Sequence, residues 1–203
     1  MTDTAADQLL ASETRAERAR LVELLDSLAP QQWATDSLCE GWRVREVVAH
    51  VTMPFRGSLP SFLLGLARAR FDFDRYADRD ARATTATRSD EWLADLWRRN
   101  IDHPWRPPGG GAAGALSHDV IHGLDITVPL GLPGPPPERI ALLVGRSGER
   151  NLAHFGVDLT GTRLEATDAD LTIGEGRAVR LSATELLLVV TGRCSLSEVS
   201  AGG

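Results

Sequence analysis

Two histidines lie four residues apart in the segment "LSHDVIHGLDITVPLG", which covers residues 116–131. On an α-helix, residues i and i+4 lie on the same face with Cβ atoms ~5–6 Å apart, so His118 and His122 could direct two imidazoles at one ion. His50, in "RVREVVAHVTM", could supply a third. Three neutral imidazoles are an ordinary ligand set for a divalent transition metal, and they leave at least one position open, as catalytic sites do.

Other interpretations of these histidines remain open at this point. An HxxxH pair also arises by coincidence, and a single histidine such as His50 is often a core residue. The metal site is favoured because helical bundles build such sites from side chains on facing helices. We expect His103, in the loop "HPWRPPGGG", to face solvent and His154, at the end of a helix, to cap its C-terminus.

Carboxylates near the histidines could orient the imidazoles. Glu46 lies four residues before His50, and Asp125 lies three residues after His122. Either could accept the N–H of the non-ligating ring nitrogen and fix the tautomer. An ordinary surface acid is the alternative for Glu46. It is also the expectation for Asp119, whose side chain should point about 100° around the helix from its histidine neighbour.

Residues near the first histidine are candidates for lining a pocket. Trp42 precedes the helix of His50 and could line a pocket or anchor the helix by packing. Arg43 and Arg56 could bind a substrate carboxylate bidentately, although a solvated helix face is the favoured alternative for both. Cys39 could be a nucleophile near the site, but without a histidine or basic residue at close spacing we expect a passive thiol there.

Apolar residues recurring at threes and fours predict the helical elements. The predicted helices cover residues 5–28, 43–53, 58–71, 89–100, 112–130 and 138–156. The charged segment 72–88 has few large apolar residues and is predicted to be a surface excursion. Ser89 or Asp90 is the expected N-cap of the helix that follows.

The pattern changes near the C-terminus. The segments "TRLEATDADLTIG" and "RAVRLS" alternate as short strands do, and "SATELLLVVTGR" begins with a capping box from Ser182 to Glu185. The sequence therefore predicts a mainly α protein, with four or five helices in a bundle and a small C-terminal α/β appendage. Because "GLPGPPP" breaks the chain at 131–137, we place a helical bundle at 1–132 and a C-terminal α/β region at 138–203.

Composition excludes some functions. The net charge is −6, and no segment has the basic excess that nucleic-acid binding requires. No apolar run approaches the ~20 residues that cross a bilayer. Two distant cysteines and the lack of a signal pattern predict a cytoplasmic protein with free thiols. A homodimer is left open.

Three segments resemble a known family. "SLCEGWRVREVVAHV" resembles the first motif of the DinB-like, mycothiol-dependent maleylpyruvate isomerase family, in which a Gly-Trp pair precedes a helix ending in a metal-binding histidine. "HDVIHGLDI" resembles its second motif, and "RLEATDADLTIGEG" with "ATELLLVVTGR" resembles the C-terminal region of many actinobacterial members. The resemblance implies a DinB-like four-helix bundle with His50, His118 and His122 at the metal-ligand positions.

One position departs from that family's pattern. The maleylpyruvate isomerase has a glutamate where this chain has His118, so the site here resembles the three-histidine site of other DinB-like thiol transferases. Replacing a carboxylate by a neutral imidazole raises the net charge of the metal site by one unit. A stronger Lewis acid is therefore expected, and this departure concerns the isomerase reaction and not the fold.

These considerations lead to one favoured function and two alternatives. The favoured function is a metal-dependent thiol S-transferase or thiol-assisted isomerase, in which the metal favours the thiolate of mycothiol or another small thiol. Its partners would be that thiol and a small electrophile, and its metal zinc, with nickel or iron open. The first alternative is a non-catalytic metal-binding stress or ligand-binding module. The second is a zinc-hydroxide hydrolase, which is disfavoured because the ligands lack the neighbouring glutamate of an H-E-x-x-H helix.

Overall fold

The computed structural model describes residues 2–152 and 157–200, and His154 lies outside these ranges. The described part is mainly helical with a small three-stranded sheet near its C-terminus, which confirms the predicted fold class. Its helices are α1 (Thr2–Ser27), α2 (Pro30–Trp33), α3 (Val44–Val51), α4 (Leu59–Arg68), α5 (Phe73–Thr85), α6 (Asp90–Arg98), α7 (Gly111–Thr127), α8 (Pro137–Leu152), α9 (Ala183–Val190) and α10 (Leu196–Ser200), with a 3-10 turn at Met53–Phe55. The strands are β1 (Thr162–Ala166), β2 (Thr172–Gly174) and β3 (Arg177–Leu181).

The prediction of a surface excursion at 72–88 is wrong, because α5 occupies most of it. The buried residues of this helix are small: Ala77, Ala81, Thr84 and Thr85. They recur at helical spacing and let α5 pack closely against α3. A search for large apolar residues misses a stripe of this kind.

Helices α3 and α7 lie in the core of the bundle. The apolar stripe of α3 is buried along its length, and α7 packs against α1, α3 and α8. Helix α7 ends at Thr127, before the predicted end at 130, and Val128 beyond it is exposed. These two helices therefore hold their side chains on a rigid frame.

Two predicted helix starts are confirmed by side-chain hydrogen bonds. The Ser89 hydroxyl accepts from the backbone N–H of Trp92 at the start of α6. At the start of α9, Ser182 and Glu185 form the reciprocal capping box. Such caps satisfy backbone donors that the first helical turn leaves unpaired.

The C-terminal sheet has the strand order β2-β1-β3. Strand β1 pairs antiparallel with β2, where Leu164 lies opposite Ile173, and parallel with β3, where Leu164 lies opposite Val179. Gly174 ends β2 with a φ of +77°, and a Cβ atom there would lie 2.4 Å from the carbonyl oxygen of Thr162. Only glycine fits this turn without strain.

One apolar cluster crosses the segment 131–137. Leu116 and Leu124 of α7 belong to the same buried cluster as Ile140 of α8, Leu164 of β1 and Leu187 of α9. The chain breaks in sequence at this point while the core continues through it. No helix in the described ranges is both long enough and apolar enough to cross a membrane.

Candidate metal centre

The three predicted histidines meet at one point in the structure. His50 lies in the last turn of α3, and His118 and His122 lie one turn apart on α7. The ring centroid of His122 is 4.9 Å from that of His50 and 4.9 Å from that of His118. The rings of His50 and His118 are 5.5 Å apart. One nitrogen from each ring lies within 4.8 Å of the others, so the three could hold a metal ion.

The surroundings keep two of these imidazoles neutral, which is the form that binds metals. Burial, together with the two neighbouring imidazoles, lowers the pKa of His50 to about 2. Burial also lowers the pKa of His122, although its hydrogen bond to Asp125 opposes this change. The Nδ1 atom of His50 is buried and has no hydrogen-bond partner among the described residues. A bound cation near the three rings would suit this donor set.

Asp125 lies against His122. Its Oδ2 atom is 2.9 Å from Nδ1 of His122, which must donate to an ionised carboxylate. Arg193, which follows α9, donates to both oxygens of Asp125 at 3.0 and 3.1 Å. Burial alone would raise the pKa of Asp125, but the hydrogen bonds from His122 and Arg193 bring it well below its ordinary value. The Nε2 atom of His122 is thereby left free to bind an ion.

Asp119 holds His118 in a similar way, and the expectation that it is an ordinary surface acid is wrong. It is buried, its Oδ1 atom lies 3.1 Å from Nδ1 of His118, and its Oδ2 atom accepts from Nε of Arg18 at 2.6 Å. The helical offset of about 100° between neighbours separates their Cβ atoms, but it does not prevent contact between two adjacent side chains. Arg18 comes from α1, and its partner cannot be identified from spacing along one helix.

Glu46 forms no hydrogen bond with Nδ1 of His50, which has no hydrogen-bond partner among the described residues. Its carboxylate accepts from the backbone and side chain of Arg43 at the start of α3 and from the Thr85 hydroxyl at 2.8 Å. It is nevertheless buried, so the surface-acid alternative is also wrong. Burial would raise the pKa of Glu46, but the hydrogen bonds from Arg43 and Thr85 lower it. Glu46 therefore stabilises the N-terminus of the helix that carries His50.

Of the three pocket candidates, Trp42 lies next to the centre, and Arg43 and Arg56 form ion pairs with acidic residues. The Trp42 ring is 5.2 Å from that of His50, and its Nε1 donates to Asp78 at 2.8 Å. Arg43 is committed to Glu46. Arg56 donates from Nη1 to Thr84 and from Nη2 to Asp80 and a carbonyl of α3, while its Nε has no hydrogen-bond partner among the described residues.

Cys39 lies beside the centre. Its Sγ atom is 4.0 Å from Nδ1 of His122 and donates to Oδ2 of Asp125 at 3.1 Å. Burial and the negative charge of Asp125 raise the pKa of the thiol to about 12. At neutral pH Cys39 is a protonated hydrogen-bond donor, which agrees with a passive thiol.

Loop 101–106 forms another side of the centre. The Trp105 ring is 5.1 Å from that of His118, and the backbone N–H of Trp105 donates to Nδ1 of His103 at 3.1 Å. His103 is half-buried and packs against Phe55 at 5.0 Å between ring centroids, so the expectation that it faces solvent is wrong. The aromatic neighbours on the loop were not identified from sequence, because no periodic pattern governs a Pro-rich loop.

Comparisons with known proteins identify a relationship for part of the chain. Residues 14–106 match the family model described as the mycothiol maleylpyruvate isomerase N-terminal domain. This segment includes His50 and ends before His118 and His122. No curated protein matches the sequence.

A solved structure is also similar. It is a histidine-to-alanine mutant of mycothiol-dependent maleylpyruvate isomerase, with 16% sequence identity and a TM-score of 0.49, and the match covers 93% of this chain and 90% of that one. The residues that match the family model include the first motif, whereas the second motif and the C-terminal segments lie outside them. The predicted resemblance to the mycothiol maleylpyruvate isomerase family is therefore confirmed, on the residues 14–106 that match its N-terminal domain.

Proposed function

We propose that this protein is a metal-dependent thiol S-transferase or thiol-assisted isomerase, with His50, His118 and His122 as the metal ligands. The observation that carries the proposal is the convergence of three imidazoles from two core helices, with one nitrogen of each within 4.8 Å of the others. Zinc is the expected ion, and nickel and iron are further candidates.

The residues around the histidines suit a divalent cation. Buried aspartates accept from Nδ1 of His118 and Nδ1 of His122, so both rings are oriented and both Nε2 atoms are left for the ion. A bound ion would act as a Lewis acid and favour the thiolate form of a thiol at neutral pH. The ligand set contains no carboxylate. Because the three imidazoles are neutral, the ligands would not reduce the positive charge of the ion.

The sulfur must come from a separate molecule. Cys39 is the nearest thiol of the described residues, but burial and Asp125 keep it protonated, with a pKa of about 12. Three protein ligands leave a position for a ligand from outside the chain. The family match points to mycothiol as that thiol.

The chemistry requires no reagent beyond the thiol and the electrophile. In a transfer by addition, the sulfur bonds to an electrophilic carbon of a double bond, and the proton given up by the thiol goes to the adjacent carbon. In an isomerisation the same bond forms and then breaks, so the thiol is recovered. A small electrophile is the expected second substrate for either course.

The C-terminal region belongs to this proposal. We retain the division into a bundle at 1–132 and a region at 138–203. The second region provides Arg193, which binds Asp125 of the bundle. Asp125 in turn holds His122. Removing the C-terminal region would on this basis weaken the centre as well as expose the shared core.

The proposal is tested by thiol-dependent turnover of the zinc-loaded protein. Maleylpyruvate and 1-chloro-2,4-dinitrobenzene are offered with mycothiol, with glutathione and with no thiol. With the second compound the sulfur displaces chloride from the ring, and the chloride and the thiol proton are both released to solvent. We expect mycothiol-dependent conversion of at least one electrophile, its loss in His122→Ala, and its retention in Asp95→Asn, because Asp95 is an exposed residue of α6 that pairs with Arg98.

The alternatives predict different results. Stoichiometric zinc with no thiol-dependent conversion would overturn the enzymatic proposal in favour of a binding module. Cleavage of esters or amides without any thiol would overturn it in favour of a hydrolase.

A further inference from the structure

Arg18 of α1 is a buried cation that reaches the centre from a third helix. It is 1% exposed, and its Nε donates to Oδ2 of Asp119 at 2.6 Å. The other oxygen of Asp119 lies 3.1 Å from Nδ1 of His118. One guanidinium thus lies two contacts away from the imidazole.

The same guanidinium also binds loop 101–106, which packs against His118 through Trp105. Its Nη1 donates to the carbonyl oxygen of His103 at 2.7 Å and to that of Ile101 at 3.4 Å. The His103 side chain accepts from the backbone N–H of Trp105, and the Trp105 ring is 5.1 Å from the His118 ring. His118 is therefore connected to Arg18 through Asp119 and also through the loop.

These contacts require the planar guanidinium group of an arginine. A guanidinium presents donors in several fixed directions, so Arg18 can bind a carboxylate and two carbonyls at once. A lysine ammonium would keep the charge and lose part of that set. Asp119 is 1% exposed, so without Arg18 it would be left as a buried carboxylate with no cation beside it.

We propose that Arg18 is a positioning residue of the metal centre, which fixes the ring orientation and tautomer of His118 through Asp119 and loop 101–106. The inference rests on the proposed function, since it takes His118 to be a metal ligand. Arg18 reaches His118 through other groups and does not itself serve as a ligand in this proposal.

The test compares two buried arginines that both bind acidic groups. Arg18→Met removes the link to His118. Arg139→Met is the matched control, because Arg139 of α8 is 10% exposed and binds Glu13 and Glu17 of α1. Each variant loses a buried ion pair in which one partner belongs to α1. Only Arg18→Met alters the surroundings of His118.

The first measurement is the affinity for Co²⁺ by chelator competition, with the visible spectrum of the complex. We expect Arg18→Met to bind Co²⁺ about 10–100-fold more weakly, as loss of groups that orient metal ligands does, with a changed spectrum. Arg139→Met should bind with unchanged affinity and spectrum. Equal effects of the two substitutions would overturn the positioning role, whereas absence of Co²⁺ binding to the unaltered protein would overturn the proposed function.

The second measurement is made without metal, and it does not require that the Arg18→Met variant folds. Nitrogen-15 NMR of the metal-free protein reports the His118 tautomer, and we expect the Nδ1–H form. The milder variant Arg18→Lys should reduce the population of that form. An unchanged tautomer in Arg18→Lys together with unchanged Co²⁺ affinity would overturn the proposal.

Discussion

Asp125→Asn is the substitution whose cost is best defined by the structure. The Asp125 side chain is fully buried, and it receives two hydrogen bonds from Arg193 in addition to those from His122 and Cys39. Asparagine keeps the shape but removes the charge, and its amide nitrogen would face donors. Arg193 is left beside the neutral amide with its cation only partly neutralised.

The expected loss of stability follows from this burial. Breaking a buried ion pair by removing one partner costs about 3–5 kcal/mol. The Arg193 side chain is 18% exposed and can recover some hydration, so we expect the lower end of that range, about 3 kcal/mol. The free energy of unfolding is measured by urea denaturation of the metal-free protein at pH 7.

Asp95→Asn is the matched control for this substitution. Asp95 pairs with Arg98 one turn later on α6, and both side chains are largely exposed. A pair of this kind contributes less than about 1 kcal/mol. If Asp125→Asn lowered the free energy of unfolding no more than Asp95→Asn does, the reasoning about the buried network would be refuted.

Three further predictions concern stability. The metal-free protein should lose stability as the pH falls below about 6.5, because His50 takes up a proton in the unfolded chain but not in the folded one, where its pKa is about 2. His50→Gln should make the fall of the unfolding free energy with pH shallower by up to about 1.4 kcal/mol per pH unit. An unaltered pH dependence in urea titrations would contradict this. Ser89→Ala should lower the free energy of unfolding by about 1 kcal/mol through the lost cap to Trp92, and an unchanged urea midpoint would count against it. Gly174→Ala should cost about 2 kcal/mol or more, because its φ of +77° and the oxygen of Thr162 at 2.4 Å exclude a Cβ atom; thermal unfolding at the same temperature as the parent would contradict that.

Local spacing made part of the centre predictable. An i, i+4 pair on a helix fixes the faces of His118 and His122, and an i, i+3 offset places Asp125 beside His122. The valine stripe of α3 identified the helix that carries His50. Each of these relations lies within one helix or between two helices of a predictable bundle.

The remaining contacts join residues that are distant in sequence. Arg18 lies 101 residues from Asp119, and Arg193 lies 68 residues from Asp125. Arginines are common in this chain, which has 22 basic residues and no lysine, so nothing in composition distinguishes these two. Helix α5 was missed for a different reason, since its buried face is made of alanine and threonine.

The central claim is that three imidazoles from α3 and α7 bind one divalent ion. Its most direct test is zinc content by elemental analysis, with the affinity of the apoprotein for added Zn²⁺, in the parent protein and in His50→Ala, His118→Ala, His122→Ala and the exposed control Asp95→Asn. The account predicts one zinc per chain in the parent and in Asp95→Asn, and large losses in each of the other three. Retention of one zinc at parental affinity by His50→Ala would contradict it, because the ion would then not lie between the two helices.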